Sequence, residues 1–482
     1  MLVVFVHGWS VTSTDTYGGL PIALAANGAK DPGIRVEHLY LAKYVSFADE
    51  VNVDDIARGM QAAVTAEVLP KLSRGERFAC ITHSTGGPVV RKWIELFFGA
   101  KLDQCPLQHL IMLAPANHGS ALAQLGKGKL ARMKFFLEGV QPGQGVLDWL
   151  ELGSEESWAL NLAWLEYDCT AAGLYAFVLT GQSIDRSFYD NLNSYTGEPG
   201  SDGVVRVAAA NMNYGLLRLT QNSGDFDLGK EGQAPAAALG VLPGLSHSGA
   251  EMGILRSVTP TSVPDAAVIG NAKSPTPNAH PTLTWVMACL DVTSATAYRA
   301  MIGTLAQLTA KTQTDERSIR TGKGFLFPRT FKTSRYCMLV FRIVDDRGND
   351  LTNYDITFLA GPNYDPDHLP PDFFVDRQRN QKSPGKLTYY IDYDVMAPWF
   401  ARPQVADKFG FRVTARPAAG YAYYSIGEHR GTFSDLKKYL EPNQTLMIEI
   451  QLKRHVAEGV FQLTQDLAPQ DFRDQAKGKD VE

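Results

Sequence analysis

The chain has little of what would tie it to a metal, a membrane span or a nucleic acid. Its 482 residues include five cysteines, Cys80, Cys105, Cys169, Cys289 and Cys337. They are scattered and never spaced C-x-x-C, which fits reduced, buried thiols better than a disulfide framework or a zinc site. No apolar run approaches the roughly 18–20 residues of a membrane-spanning helix. The formal net charge of −5 is small for this length and argues against a dedicated nucleic-acid binder. There is no H-E-x-x-H metal motif, and Gly322-Lys323-Gly324 lacks the pattern of a phosphate loop, so neither metal nor cofactor is expected. The opening MLVVFVHGW has no basic leader, and its apolar run is too short for a signal peptide. It reads as a core strand. The expectation is a protein that is cytoplasmic as synthesised, with export by a route needing no cleaved signal equally compatible.

What the chain does have is an ordinary globular balance, 45% apolar and 20% charged, with length enough for two or three domains. Its most informative stretch is Arg77–Leu96, RFACITHSTGGPVVRKWIEL. The apolar Phe78–Ile81 gives way to His83-Ser84, and Gly86-Gly87-Pro88 opens an amphipathic helical run. A serine on so tight a strand-to-helix turn projects its hydroxyl from the sheet edge, and Pro88 suits a first helical turn. The helix N-terminus aims free backbone donors at an oxyanion forming near Ser84. The usual pattern is G-x-S-x-G; here Thr82 stands at the first glycine.

Around this turn the chain alternates strand and helix. Leu2–Val6 is a continuous apolar run typical of a buried parallel strand and ends in His7-Gly8-Trp9. The Trp9 N–H is a candidate oxyanion donor, with the Thr85 N–H as the second. Val36–Leu41 and Leu110–Leu113 read as further strands, and the run from Asp54 as a helix. Residues 121–170 interrupt the rhythm and carry Phe135, Phe136, Leu147, Trp149, Trp158 and Trp164. They read either as a helical cap over an apolar substrate pocket or as packing helices of the core. Leu174–Thr180 and Val204–Ala208 return to strand, and Thr282 to about Thr312 is helical. A catalytic domain over 1–312, with the helical insertion at 121–170, a linker over 313–328, an antiparallel β-sandwich over 329–456 and a polar tail over 457–482 follow from the change to short alternating strands. Within the sandwich, Tyr336–Val344 and Tyr354–Leu359 resemble a hairpin. Asp345, Asp346, Asp350, Asp365 and Asp367 read as acidic turns ahead of a calcium site.

A serine nucleophile needs a base, and the base an acid to hold its tautomer. In a sheet of this kind these follow in the order Ser, Asp or Glu, His. Asp202, before the turn residue Gly203, and His247, in the Pro/Gly-flanked LPGLSHSG, meet that order. Their rivals are Asp185 and Asp190 for the acid and His118 for the base.

The segments FVHGW, THSTGG, LAPANHGS, SDGVV and LSHSG together resemble the α/β-hydrolase lipase and esterase families over about residues 1–257. That resemblance implies a doubly wound, mostly parallel sheet, with Ser84 as nucleophile, Asp202 as acid, His247 as base and Trp9 and Thr85 as oxyanion donors. It implies hydrolysis of carboxylic esters through an acyl-serine, and a shortened first sheet edge. The aromatic-rich 121–170 points to lipid or phospholipid esters as substrate, with peripheral membrane contact through that segment or the β-sandwich. The layout is also similar to lipase effectors exported by bacterial contact-dependent secretion. A short-chain esterase, thioesterase or acyltransferase would use the same triad, and a silent binding module would keep the fold without it.

Overall fold

The computed structural model describes residues 1–482 except 8–12, 29–32, 41–47, 127–142, 185–197, 270–273, 317, 322–328, 333, 459, 462, 466, 470, 472 and 474–482. The first eight strands are β1 (Leu2–His7), β2 (Arg35–Tyr40), β3 (Phe78–His83), β4 (Leu107–Leu113), β5 (Tyr175–Thr180), β6 (Tyr214–Asn222), β7 (Asp225–Gln233) and β8 (Ala238–Val241). Six of them form a sheet in the order β2-β1-β3-β4-β5-β8, parallel at every junction.

The reason β1 reads as an unbroken apolar run is visible in its burial. Leu2, Val4 and Val6 enter one core and Val3 and Phe5 another, on opposite faces of the sheet. The first core is closed by the helices Val53–Ala63 and Gly86–Phe98, through Ala57, Met60, Val89 and Trp93. Asn52 and Asp55 form a reciprocal capping box at the start of the former. The second core is closed by Leu20–Asn27, Pro281–Leu290 and Ala295–Asp315. Covering both faces with helices is what a parallel sheet requires.

Of residues 121–170, the described helices Ala121–Gly126, Gln144–Leu150 and Glu155–Trp164 pack into the body of the protein. Leu147, Trp149 and Trp164 belong to the first core, and Trp158 packs with Tyr214 and Leu216. Phe135 and Phe136 lie outside the described residues.

The remaining strands are β9 (Ser318–Thr321), β10 (Arg329–Lys332), β11 (Tyr336–Asp345), β12 (Tyr354–Ala360), β13 (Phe374–Arg379), β14 (Lys386–Asp392), β15 (Lys408–Ala415), β16 (Ala422–Tyr424), β17 (Gly427–Thr432), β18 (Thr445–Leu452) and β19 (Arg454–Val456). The β-rich second unit is built on a nine-stranded sheet, β12-β15-β17-β7-β6-β18-β11-β14-β13. It is mixed rather than purely antiparallel as expected: β18 runs parallel to both β11 and β6, and β17 parallel to β7. Two of its strands, the β6–β7 hairpin, come from between β5 and β8 of the first sheet. The two units are therefore interleaved in sequence, and they share a core. Tyr336, Met338 and Tyr390 point into the first unit, while Cys337, Leu339, Phe341 and Tyr389 point into the second unit's own core.

Two local expectations change. The Val204–Ala208 stretch is a turn leading to the short helix Val207–Ala210. The 336–344 and 354–359 runs are not a hairpin: β11 has β14 and β18 on its two edges, so β12 pairs with β15 instead. The turn after β11 is held by Asp345, whose Oδ1 accepts from the Arg347 and Asn349 backbone amides.

Candidate active site

At the end of β3, Ser84 has φ of 52°, a left-handed conformation that a non-glycine residue adopts only under constraint. The surroundings impose it. The Ser84 N–H donates to Leu113 O at 3.0 Å, and the Ser84 carbonyl accepts from the Gly87 and Ala116 amides. Thr82, at the position usually held by glycine, is fully buried, and a Cβ on Gly86 would lie 3.1 Å from its Cβ. The glycine across the turn makes room for the threonine.

His247 Nε2 lies 3.1 Å from Ser84 Oγ, and His247 Nδ1 lies 2.9 Å from Asp202 Oδ2. The His247 amide also donates to the Asp202 carbonyl at 2.9 Å. Asp202 is fully buried, and its Oδ1 accepts from the amides of Val204 and Val205 at 3.0 and 2.8 Å. One carboxylate oxygen is thus fixed by backbone and the other faces the imidazole, which defines a single ring orientation. The His83 ring sits 4.7 Å from that of His247. Desolvation, then the neighbouring His247, holds its pKa well below 6.5, so it is a neutral wall beside the imidazole.

The Thr85 N–H stands at the start of the helix Gly86–Phe98 and donates to no group among the described residues, leaving it available next to Ser84. Trp9 lies outside the described residues, as do Asp185 and Asp190. His118 is buried elsewhere, with Nδ1 3.2 Å from Asn161 Nδ2 and its ring edge-on to Tyr214. Burial, then the charge of Arg91, pushes its pKa down to about 3. The structure brings Ser84, Asp202 and His247 together and leaves His118 out. No cluster of three metal-ligating side chains occurs among the described residues.

A second arrangement, which sequence reasoning missed, holds the Asp202 loop from the nine-stranded sheet. Arg206, fully buried, pairs with Glu198 at 2.7 Å and with Asp376 of β13 at 2.5 Å. Its guanidinium stacks on Tyr390 of β14 at 4.1 Å, and the Tyr390 hydroxyl donates to Pro199 O at 3.0 Å. Burial opposes the charge, but Glu198, Tyr390 and Asp376 together raise the Arg206 pKa above its ordinary value. Gly200, at φ of 72°, passes so close that a Cβ would lie 2.3 Å from the Tyr336 ring. The loop that carries Asp202 is thereby clamped between the two sheets.

Neither protein-family models nor curated protein sequences give a match. Solved structures do. The chain is 48% identical to phospholipase PlaB from Legionella pneumophila in complex with thio-NAD, with 100% of both chains covered and a TM-score of 0.88. A second structure of the same phospholipase is 49% identical, covers 100% of this chain and 99% of its own, and has a TM-score of 0.89. With the strained serine turn, the Ser84–His247–Asp202 chain and a likeness that runs the full length of both proteins, this chain belongs to the family of the phospholipase PlaB.

Proposed function

We propose that this protein hydrolyses the carboxylic esters of phospholipids, with Ser84 as nucleophile, His247 as general base and then acid, and Asp202 as the group that orients and stabilises the imidazole. His247 Nε2 takes the Ser84 proton as Oγ attacks the ester carbonyl, and returns it to the departing alcohol. Water then repeats the sequence on the acyl-serine. The Thr85 N–H and the helix behind it supply positive potential to each tetrahedral oxyanion, and Trp9 is the proposed second donor.

The single observation that carries this reading is the continuous hydrogen-bonded chain from Ser84 Oγ through His247 to buried Asp202, on a backbone strained at the serine alone of the three. The phospholipid assignment is supported by the full-length likeness to PlaB. Side-by-side hydrolysis of phospholipid vesicles, triglyceride emulsions and short soluble esters tests it. Phospholipid turnover should exceed the others, and Ser84→Ala should lower it by at least about 10⁴-fold. Preference for short soluble esters would defeat the substrate assignment, and full activity in Ser84→Ala would defeat the mechanism.

Such substrates lie in a lipid surface, so peripheral membrane contact belongs to the same reading. No described helix is long and apolar enough to cross a membrane. Half-exposed Tyr421 and Ile426, flanking β16, are side chains suited to shallow insertion. Vesicle flotation of Tyr421→Ser and Ile426→Ser proteins, expected to be weakened, checks this.

A further inference from the structure

The nine-stranded sheet borders a partly open cavity of about 340 Å³, whose lining includes no residue of the triad. Its floor is Leu339, Phe341, Phe358, Phe409 and Phe411, on β11, β12 and β15. Its polar lining comes from β17 and the segment after it: His429, Arg430, Thr432, Asp435, Lys438 and Tyr439. A space of this size, apolar within and polar at its mouth, has the proportions of a small-molecule site. Well-packed interiors leave few voids larger than a water molecule.

The topology explains how the space opens. β17 and β7 meet in register at a single pair, Glu428↔Asp225, whereas β7 continues its pairing with β6 as far as Gln233. Beyond that pair, Leu228 of β7 and Arg430 of β17 line the cavity from the two sides of the seam. Leu228 is 50% exposed, so it stands at the entrance. At the mouth Lys438 pairs with Asp435 at 2.8 Å, while Arg430 shares Glu428 with Arg412, at 2.6 and 2.5 Å. Two guanidinium groups on one carboxylate leave positive charge to meet an anionic or zwitterionic head group. The His429 ring, 5.4 Å from Phe411, makes no hydrogen bond among the described residues.

We infer that this cavity is a second lipid site, which takes the single unbranched acyl chain of a fatty acid or lysophospholipid with its head group left at the Arg430–Lys438 mouth. The chain supplies the apolar surface that Phe358, Phe409 and Phe411 are placed to cover. A two-chain phospholipid has one chain too many for an opening between two splayed strands.

The test uses the full chain with Ser84 capped by an alkyl fluorophosphonate, so that the catalytic serine is occupied, titrated with cis-parinaric acid and read by fluorescence. Saturable binding is expected, displaced by dodecanoate, by lysophosphatidylcholine, or by both, but not by diacyl phosphatidylcholine. Displacement by one alone identifies the source of the chain. Leu228→Arg at the mouth and Leu339→Trp on the floor should each weaken binding by about tenfold or more. Leu228→Arg, at a half-exposed position, should keep its unfolding midpoint. No saturable binding, or binding unchanged in Leu228→Arg, would overturn the site. Failure of Ser84 to react with the cap would overturn the hydrolase reading instead. The titration would then be run on uncapped protein, with the same two variants deciding it.

Discussion

Two arginines are fully buried, one on each side of the triad, and they are held in opposite ways. Arg91 lies in the helix that follows Ser84. It donates to Asn161 at 2.9 Å and lies over the Trp164 ring at 4.7 Å, but forms no ion pair among the described residues. Burial lowers its pKa, and Tyr214, Cys169 and Glu95 recover only part of the loss. Arg206 closes the loop that carries Asp202 and has two carboxylates, one from its own loop and one from the nine-stranded sheet. The serine side is fixed by packing and backbone strain within the first sheet. The acid side is fixed by an ionic tie to the second, so the triad depends on both units although all three of its residues lie before residue 250.

The largest effect that can break this contrast is expected from Arg206→Met. It removes the cation that Glu198 and Asp376 share, and removing one partner of a buried pair costs about 3–5 kcal/mol. Urea denaturation should show the loss, with hydrolysis falling in the folded fraction as the Asp202 loop loosens. A wild-type midpoint would mean that the loop needs no tie.

On the Arg91 side, the sharper probe is pH. His118 beside it is neutral when folded, with a pKa of about 3 against about 6.5 unfolded. Between those values the unfolded chain binds a proton that the folded chain refuses. The stabilisation is therefore complete above about pH 6.5 and is lost as the pH falls towards 3, by about 1.4 kcal/mol per pH unit. His118→Gln should flatten that part of the denaturation profile; an unchanged slope would contradict the buried neutral histidine.

A smaller effect is expected from Asp376→Asn, which keeps an acceptor for Arg206 but removes the second sheet's charge. The expected result is a loss of about tenfold in kcat with KM little changed, because the ion pair of Asp376 is with Arg206 and not with a triad residue. A change confined to KM would argue that β13 acts on substrate binding instead. Smallest of all should be Arg91→Met: a buried cation with no ion-pair partner among the described residues is replaced by an apolar group of similar length, so stability should stay within about 1 kcal/mol of wild type. A loss as large as that of Arg206→Met would erase the contrast between the two arginines.

The sequence carried the serine side and the order of the triad because their signals are local. Phe78–Ile81 announces a strand, Gly86-Gly87-Pro88 a helix start, and Gly203 and Pro243-Gly244 mark the turns that bear Asp202 and precede His247. The tie at Arg206 was not legible. Asp376 lies 170 residues further on, and an arginine in VVRV reads as a solvent-facing strand position until the tertiary fold buries it. The β6–β7 hairpin left a readable trace, Asn222-Ser223-Gly224-Asp225 between runs containing Leu217 and Leu219 on one side and Phe226 and Leu228 on the other. What the trace could not say is which sheet the hairpin joins, since that choice is made by β18, more than two hundred residues away in the chain.

The nucleophilic role of Ser84 is tested most directly by labelling the folded protein with a fluorophosphonate and locating the adduct by peptide mass spectrometry. One adduct per chain, on Ser84, lost in Ser84→Ala and formed far more slowly in Asp202→Asn, is the predicted result. A folded protein whose Ser84 stays unmodified while it hydrolyses phospholipid would contradict it.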